Sequence, residues 1–311
     1  MELSNRTTET EFIILGLSDL PEHQTLLMVV FLTVYLTNIV GNTMIISLIR
    51  LDTNLHTPMY FFLGNLSFVD VCFTSSIVPP MLKNMVSLKK TISFHACIAQ
   101  LFFFLCFACT ECVLLAAMAF DRYVAICNPL HYMMLMNRKV CISLVAFSWV
   151  LSSLHALLHS LMAFRLSFCG HKKIHHFFCD MAPLLTLSCS DTTINKLLIY
   201  TEGGMPLAIP FLIVMISYIR IISSILKIRS THGRSKAFST CSSHLTVVIF
   251  FYGTIAFMYL RPPSTYSIDY DRIVSLVYTV VAPTLNPFIY SLRNKDMKGA
   301  LRKVLSRKGE S

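Results

Sequence analysis

HQTLLMVVFLTVYLTNIVGNTMIISLI, the run from His23 to Ile49, contains no Asp, Glu, Lys or Arg. As an α-helix rising about 1.5 Å per residue it exceeds the roughly 20 residues that cross the hydrocarbon core of a bilayer. Val140 to Phe164, Ala237 to Leu260 and Ile273 to Leu292 are equally free of charge. Three more stretches carry one acid each: Met59 to Leu82 with Asp70, Thr91 to Phe120 with Glu111, and Leu197 to Ile219 with Glu202. Together they predict an all-α membrane protein with seven spanning helices, because a helix satisfies its own backbone polar groups in lipid. The ten-residue alternating segments of a β-barrel are absent.

The composition agrees. Of 311 residues, 55% are hydrophobic and 14% charged, and the mean hydropathy is +0.64. Soluble proteins carry about 25% charged residues, so an ordinary cytosolic enzyme is excluded, as are collagen-like, disordered and small disulfide-scaffold chains. The loops are too short for a separate domain. The expected organisation is an extracellular amino-terminal segment over 1–23, a seven-helix domain over 24–293 and a cytoplasmic interfacial helix and tail over 294–311. Residues 1–22 hold five acids against Arg6 alone, unlike the basic front of a secretory signal, so the first span is expected to act as the anchor.

Orientation follows from the bases. With the amino terminus outside, the inner segments hold Arg50; Arg122, Arg138 and Lys139; Arg220, Lys227, Arg229, Arg234 and Lys236; and Arg293, Lys295, Lys298, Arg302, Lys303, Arg307 and Lys308. These sixteen bases face four inner acids, against ten bases and nine acids outside. An inner excess is what the positive-inside rule requires. The formal charge of +10 is therefore a topology signal, with no nucleic-acid patch implied. Asn5-Arg6-Thr7 is a glycosylation sequon on the outer side, whereas Asn65-Leu66-Ser67 lies idle inside a span. Cys97, Cys169, Cys179 and Cys189 also fall outside, an even number that predicts two disulfides with three pairings open. Cys106, Cys109 and Cys112 have CxxCxxC spacing, but on a helix they fan around the side and read as small buried residues.

Acids within a membrane are functional candidates. Asp70 and Glu111 sit at similar depth, near mid-membrane. Two carboxylates meeting there either share a proton or hold a small cation such as Na⁺ between them; the bland reading gives each its own hydroxyl or amide neighbours. Glu202 stands near the outer end of span five, followed by Gly203, Gly204, Pro206 and Pro210. It either binds a donor on a ligand or reaches the outer water. His155 and His159, four apart, share one face of span four. His175 and His176 precede Cys179-Asp180, and metal capture by His176 with Asp180 is weighed against ordinary hydrogen bonding, which is preferred. The histidines lie at different depths, unlike the converging boxes of a membrane desaturase, so no enzyme is expected. Seven spans do not divide into two transporter repeats, and no polar stripe suggests a channel.

Span three ends in Met118-Ala119-Phe120-Asp121-Arg122-Tyr123-Val124-Ala125-Ile126-Cys127. An acid beside an arginine at the inner boundary can be paired, holding the bundle closed, or unpaired, freeing the arginine for a partner. Other strings accompany it: Gly41-Asn42; Leu55-His56-Thr57-Pro58-Met59-Tyr60; Leu66-Ser67-Phe68-Val69-Asp70; Ser217-Tyr218; Lys236-Ala237-Phe238-Ser239-Thr240-Cys241-Ser242-Ser243-His244; and Pro283-Thr284-Leu285-Asn286-Pro287-Phe288-Ile289-Tyr290. Over its whole length the chain resembles rhodopsin-like G-protein-coupled receptors, and specifically the olfactory receptors.

The resemblance implies disulfides Cys97–Cys179 and Cys169–Cys189, and an internal sodium site at Asp70 and Glu111, with no cofactor required. It implies a switch formed by Asp121, Arg122, Tyr123, Tyr218, Asn286, Pro287 and Tyr290. It implies a pocket for a small odorant at Phe104, Leu105, Ala108, Cys109, Glu202, Gly203, Tyr252, Ile255, Ala256, Tyr259 and Thr279. Such a mostly apolar lining would draw its affinity from burial worth about 25 cal/mol per Å². The implied partners are the odorant, the membrane lipid and a stimulatory G protein of the olfactory type, with cyclic AMP as output and the plasma membrane as location. The chain departs from the wider class in span six, where Phe251-Tyr252-Gly253-Thr254 replaces the Cys-Trp-x-Pro motif and makes Tyr252 the expected ligand sensor. After Arg293-Asn294, the apolar Met297, Leu301, Val304 and Leu305 fall on one face among Lys298, Arg302, Lys303, Arg307 and Lys308, which predicts a helix lying along the inner leaflet.

Overall fold

The computed structural model describes residues 11–16, 21–170, 172–259 and 268–308. Eight helices dominate it. α1 spans Pro21–Leu51, α2 Pro58–Val86, α3 Phe94–Cys127 and α4 Arg138–Phe164. α5 begins with Thr193–Leu198, widens through a π-helical turn at Ile199–Gly203 and continues over Met205–Leu226. α6 spans Thr231–Tyr259. α7 has three consecutive pieces, Ile268–Leu276, a π-helical turn at Val277–Val281, and Ala282–Arg293, and α8 covers Lys295–Lys308. Side chains fix several of the starts. Ser93 accepts from the Ala96 amide and Asn137 from the Val140 amide, satisfying amides that a helix leaves open at its first turn. Pro58, at the first position of α2, has no amide to leave open.

α1 to α5 and α7 are each long and apolar enough to cross a membrane. Among the described residues α6 carries a shorter apolar stretch, Cys241–Ile255. The seven spanning helices are those expected from the charge-free runs. α3 is the axis of the bundle: two thirds of its most apolar window is buried, against 22% for α1. It touches α2, α4, α5 and α6. The main core joins Leu63, Leu66 and Val69 of α2 to Leu114, Leu115 and Met118 of α3, Ile221 of α5, Val247 and Phe251 of α6 and Tyr290 of α7.

α1 and α7 meet at Gly41. A Cβ there would stand 3.1 Å from both Cβ and Cγ of Pro287, closer than ordinary van der Waals contact. Next to it Asn42 donates its side-chain amide to the carbonyls of Pro283 at 3.3 Å and Asn38 at 3.2 Å. The glycine admits the proline, and the asparagine supplies a donor to a backbone oxygen that Pro287 leaves without its helical amide.

One end of the bundle is closed by a feature that the hydropathy pattern did not announce. β1 (Glu11–Ile14) pairs antiparallel with β2 (Thr91–Ser93) and parallel with β3 (Lys173–Ile174). Phe12 and Ile14 are buried while Ile13 is exposed, the alternation of a strand. The Phe12 ring meets Phe168 edge-on at 5.0 Å. Cys97–Cys179 and Cys169–Cys189 are bonded at the same end. The other seven cysteines are free, five of them buried. Gln100 of α3 fastens this cap twice, donating to the Ser76 carbonyl and accepting from the Cys179 amide, both at 3.0 Å.

At the opposite end α8 folds back on the bundle. Asn294 accepts from the amides of Asp296 and Met297 and so caps it. The Tyr60 hydroxyl accepts from Asn294 at 2.8 Å and donates to Asp296 at 3.2 Å. Lys303 reaches Asp52 at 3.0 Å, which holds that carboxyl below the usual range. Met297 and Ala300 are buried and Leu301 and Val304 half-buried, so the apolar face seen in the sequence packs against the core. A Gly41→Leu substitution, forced against Pro287, should cost about 1–3 kcal/mol by overpacking and lower the Tm of the purified protein in nanodiscs, whereas Gly64→Ala, where a Cβ meets only Ile49 at 3.6 Å, should leave it nearly unchanged.

Candidate functional site

Three polar stations lie along the bundle. At the α8 end, the Asp121 carboxylate is fully buried and paired with the Arg122 guanidinium beside it. Its other oxygen accepts from the Tyr132 hydroxyl at 2.8 Å, so Tyr132, in the segment after α3, holds the acid from the far side. Arg122 remains 12% exposed, the more accessible partner. The Tyr218 hydroxyl of α5 lies 2.7 Å from His244 Nδ1 of α6, and the two rings stack. Tyr123 is half-buried against the main core. The Tyr290 ring is almost wholly buried and its hydroxyl has no partner. Between α5 and α6 a cavity of about 660 Å³ opens at this end, lined by Ile222, Ile225, Leu226, Arg234, Phe238 and Ser242 among others.

At mid-bundle, Asp70 and Glu111 are both fully buried. Asn286, in the Asn-Pro string of α7, donates to Asp70 Oδ2 at 2.9 Å. Asp70 Oδ1 and both oxygens of Glu111 have no partner, and the two acids lie close enough to repel. Thr74, one turn from Asp70, donates its hydroxyl to Asn38 Oδ1 at 2.9 Å or back to the Asp70 carbonyl. The Asn38 side-chain nitrogen is likewise without a partner. The unpartnered acid atoms are all oxygens, the donor type that hard cations take.

Toward the sheet end, the residues assigned to a pocket by resemblance stand on α3, α5, α6 and α7. Phe104 packs against Phe73 at 5.7 Å, Tyr278 at 6.4 Å and Phe178 at 4.8 Å. Phe177 and Phe178, just before Cys179, lie over this cluster, and Leu105 and Ala108 pack against it. Cys109 is buried one turn further in. Tyr252 is buried, meets Phe211 at 5.2 Å and donates to the Cys112 carbonyl at 3.4 Å, bridging α6 to α3. Ile255 is half-buried beside it, and the side chains of Ala256 and Tyr259 lie outside the described ones. Asn5 also lies outside the described residues. Thr279 is buried and donates back to Ser275 at 2.6 Å. Glu202, Gly203 and Thr279 all sit on the two π-helical turns, a feature that often marks functional positions in helices.

Glu202 is not solitary. Its Oε1 lies 2.8 Å from His155 Nδ1 and its Oε2 2.9 Å from His159 Nε2. The i, i+4 spacing of the histidines was visible in the sequence, but their meeting with an acid from another helix was not. His176 and Asp180 each have another partner. His176 Nε2 faces Ser275 at 3.3 Å, and Asp180 accepts from the Met181 amide.

The profile of the olfactory receptor family matches residues 31–308. The chain belongs to the olfactory receptor family. Olfactory receptor 1468 of Rattus norvegicus is 54% identical over 308 residues, covering 99% of this chain and 98% of that protein. Olfactory receptor 1E2 of Gorilla gorilla gorilla and Olfactory receptor 1E16 of Mus musculus are each 53% identical, with 98% of this chain and 97% of the relative covered. The protein is thus a multi-pass G-protein-coupled receptor and not an enzyme.

Sequence reasoning missed Tyr132, Asn38, Thr74 and His244, which complete the polar stations. Each is an ordinary residue until folding brings it beside an acid or a tyrosine. His176, buried against Phe177 and Phe178, is held neutral, its pKa lowered from 6.5 to about 3 by burial and then by Arg272. A depressed histidine pKa means that the unfolded chain binds the proton more readily, so stability is lost as pH falls below 6.5. The Tm of the purified receptor should therefore drop on acidification before carboxylates titrate at about 4. In His176→Gln the slope should be shallower.

Proposed function

We propose that the receptor binds a small, mostly apolar odorant beneath Phe177 and Phe178 and signals through a stimulatory, olfactory-type G protein to raise cyclic AMP. The single observation carrying this reading is that one rigid helix, α3, bears Phe104, Ala108 and Cys109 at one end and the buried Asp121–Arg122 pair at the other. Apolar side chains from α3, α6 and α7 there offer burial without charge, which suits a volatile compound. Glu202 already shares its oxygens with two histidines, so on this reading orientation of the ligand falls to hydroxyls such as Tyr252 and Thr279.

The sheet and disulfide end is extracellular in this reading, and the Arg122 end faces the cytosol. The count of bases on the connecting segments supports that orientation, as do disulfides in an oxidising compartment. Asp70 and Glu111 would hold Na⁺, which would supply positive charge to the unpartnered Asp70 Oδ1 and Glu111 oxygens. In the ligand-free state the Arg122 guanidinium is neutralised by Asp121, and Tyr132 keeps the acid in place. Ligand binding favours a state in which α6 leaves α3. The crevice bordered by Arg234 and Phe238 then widens to take a helix of the G protein.

The test is cyclic AMP accumulation in cells presented with an odorant panel. Arg122→Ala should abolish the response to every active odorant while surface expression stays near that of the wild type. Preserved responses in that variant, or uptake of a labelled odorant into sealed vesicles without any cyclic AMP signal, would refute the reading.

A further inference from the structure

We propose that His155, His159 and Glu202 form a binding site for a divalent transition ion of the Zn²⁺ class, which ties α4 to α5 near the sheet end. The ring nitrogens and the carboxylate oxygens all lie within 4.8 Å of one another. Tetrahedral ligand atoms around one ion with bonds of about 2.0–2.2 Å stand about 3.3–3.6 Å apart, so a small inward movement of these side chains would close the set on an ion. His155 and His159 are one turn apart on α4, the i, i+4 spacing that lets two imidazoles reach the same ion from one helix face. Glu202 comes from α5, where the π-helical turn at Ile199–Gly203 re-aims its side chain out of the regular helical register.

The donor set selects the metal. Two imidazole nitrogens and one carboxylate suit a borderline ion such as Zn²⁺, and are too few and too soft for Na⁺ or Ca²⁺. The site also differs in place and chemistry from the all-oxygen space between Asp70 and Glu111. The histidine side chains are 8% and 5% exposed, so the ion would be shielded, while Glu202 at 34% leaves an approach from outside. Without metal the same three residues form a hydrogen-bonded His–Glu–His bridge. On binding, His155 Nδ1 and His159 Nε2 present lone pairs to the ion, and each neutral ring carries its proton on the other nitrogen. Three protein ligands leave a fourth tetrahedral position for water or for a lone-pair donor on a ligand.

The test uses the full-length receptor, purified through a tag without histidine and placed in nanodiscs, with Co²⁺ as the spectroscopic probe. Wild-type protein should bind one equivalent of Co²⁺, show visible bands of a low-coordinate nitrogen and oxygen site, and lose them on adding Zn²⁺. His159→Gln and Glu202→Gln should each weaken binding at least tenfold, and His176→Gln should leave it unchanged. A wild-type receptor that gives no Co²⁺ bands and retains no Zn²⁺ after gel filtration overturns the proposal, whatever the variants do. Bands that survive in a His155→Gln/His159→Gln double variant, or vanish in His176→Gln, overturn it too. None of these readouts depends on the identity of the odorant or the G protein.

Discussion

A polar side chain taken into a low-dielectric interior must find a partner there, and this bundle is arranged around the few polar groups it keeps. Asp121 has Arg122 and Tyr132, and Asp70 has Asn286. Asn42 ties α1 to the carbonyl of Pro283, and Glu202 stands between two histidines. Apart from the Asp121 pair, whose partners are close in sequence, these contacts join distant helices and bear on how they are rotated, because an unpaired group would cost several kcal/mol in such surroundings. Apolar packing sets how closely the helices approach, but many rotations of a greasy rod bury similar area. The polar pairs select one. Some buried polar atoms stay unanswered by protein, among them both Glu111 oxygens, Asp70 Oδ1 and the Tyr290 hydroxyl, and Glu111 sits on α3.

That helix explains the economy of the design. α3 is buried over most of its length, so it has little freedom to bend or turn on its own. From Phe104 to Asp121 it spans about 25 Å at 1.5 Å per residue. One element therefore carries an aromatic cluster, a mid-bundle carboxylate and a charge pair in fixed relation. Tyr252 reaches it from α6 through the Cys112 carbonyl, close to Glu111 in sequence. Phe107 of α3 packs against both the aromatic cluster and the core that holds Tyr252, and Tyr252 stands on the helix that also carries His244, the partner of Tyr218.

Much of this was legible in the order of residues. The charge-free runs reveal seven helices because a hydrocarbon layer admits few charges, and the α8 amphipathic face reads directly from its spacing. Asp70, Glu111 and Asp121 stand out because acids are rare in such surroundings. The sheet was not legible: two to four residues per strand give too little alternation, and β1 finds its partners some eighty and a hundred and sixty residues away. The polar partners were not legible either. Tyr132 and Asn38 carry no local signal, and His155 with His159 showed a shared face but not what would meet it. Pairing between helices depends on their rotation, and hydropathy alone leaves that angle undetermined.

The backbone divides the molecule further. α1 to α4 run as uninterrupted helices, and the end that carries the disulfides is clamped by the three-stranded sheet and by Gln100. Among the described residues both π-helical turns fall on the other side, at Ile199–Gly203 in α5 and Val277–Val281 in α7. Such turns hold their hydrogen bonds less tightly than regular helix, and local openings draw on the least stable backbone. The rigid half supplies a fixed wall and the other half supplies the parts that adapt. Glu202 lies on the adaptable side but is held by two histidines from the rigid one. That contact is one of several that cross this division, beside Asn286 to Asp70 and Tyr252 to the Cys112 carbonyl, and it is the one that ties α5 to α4.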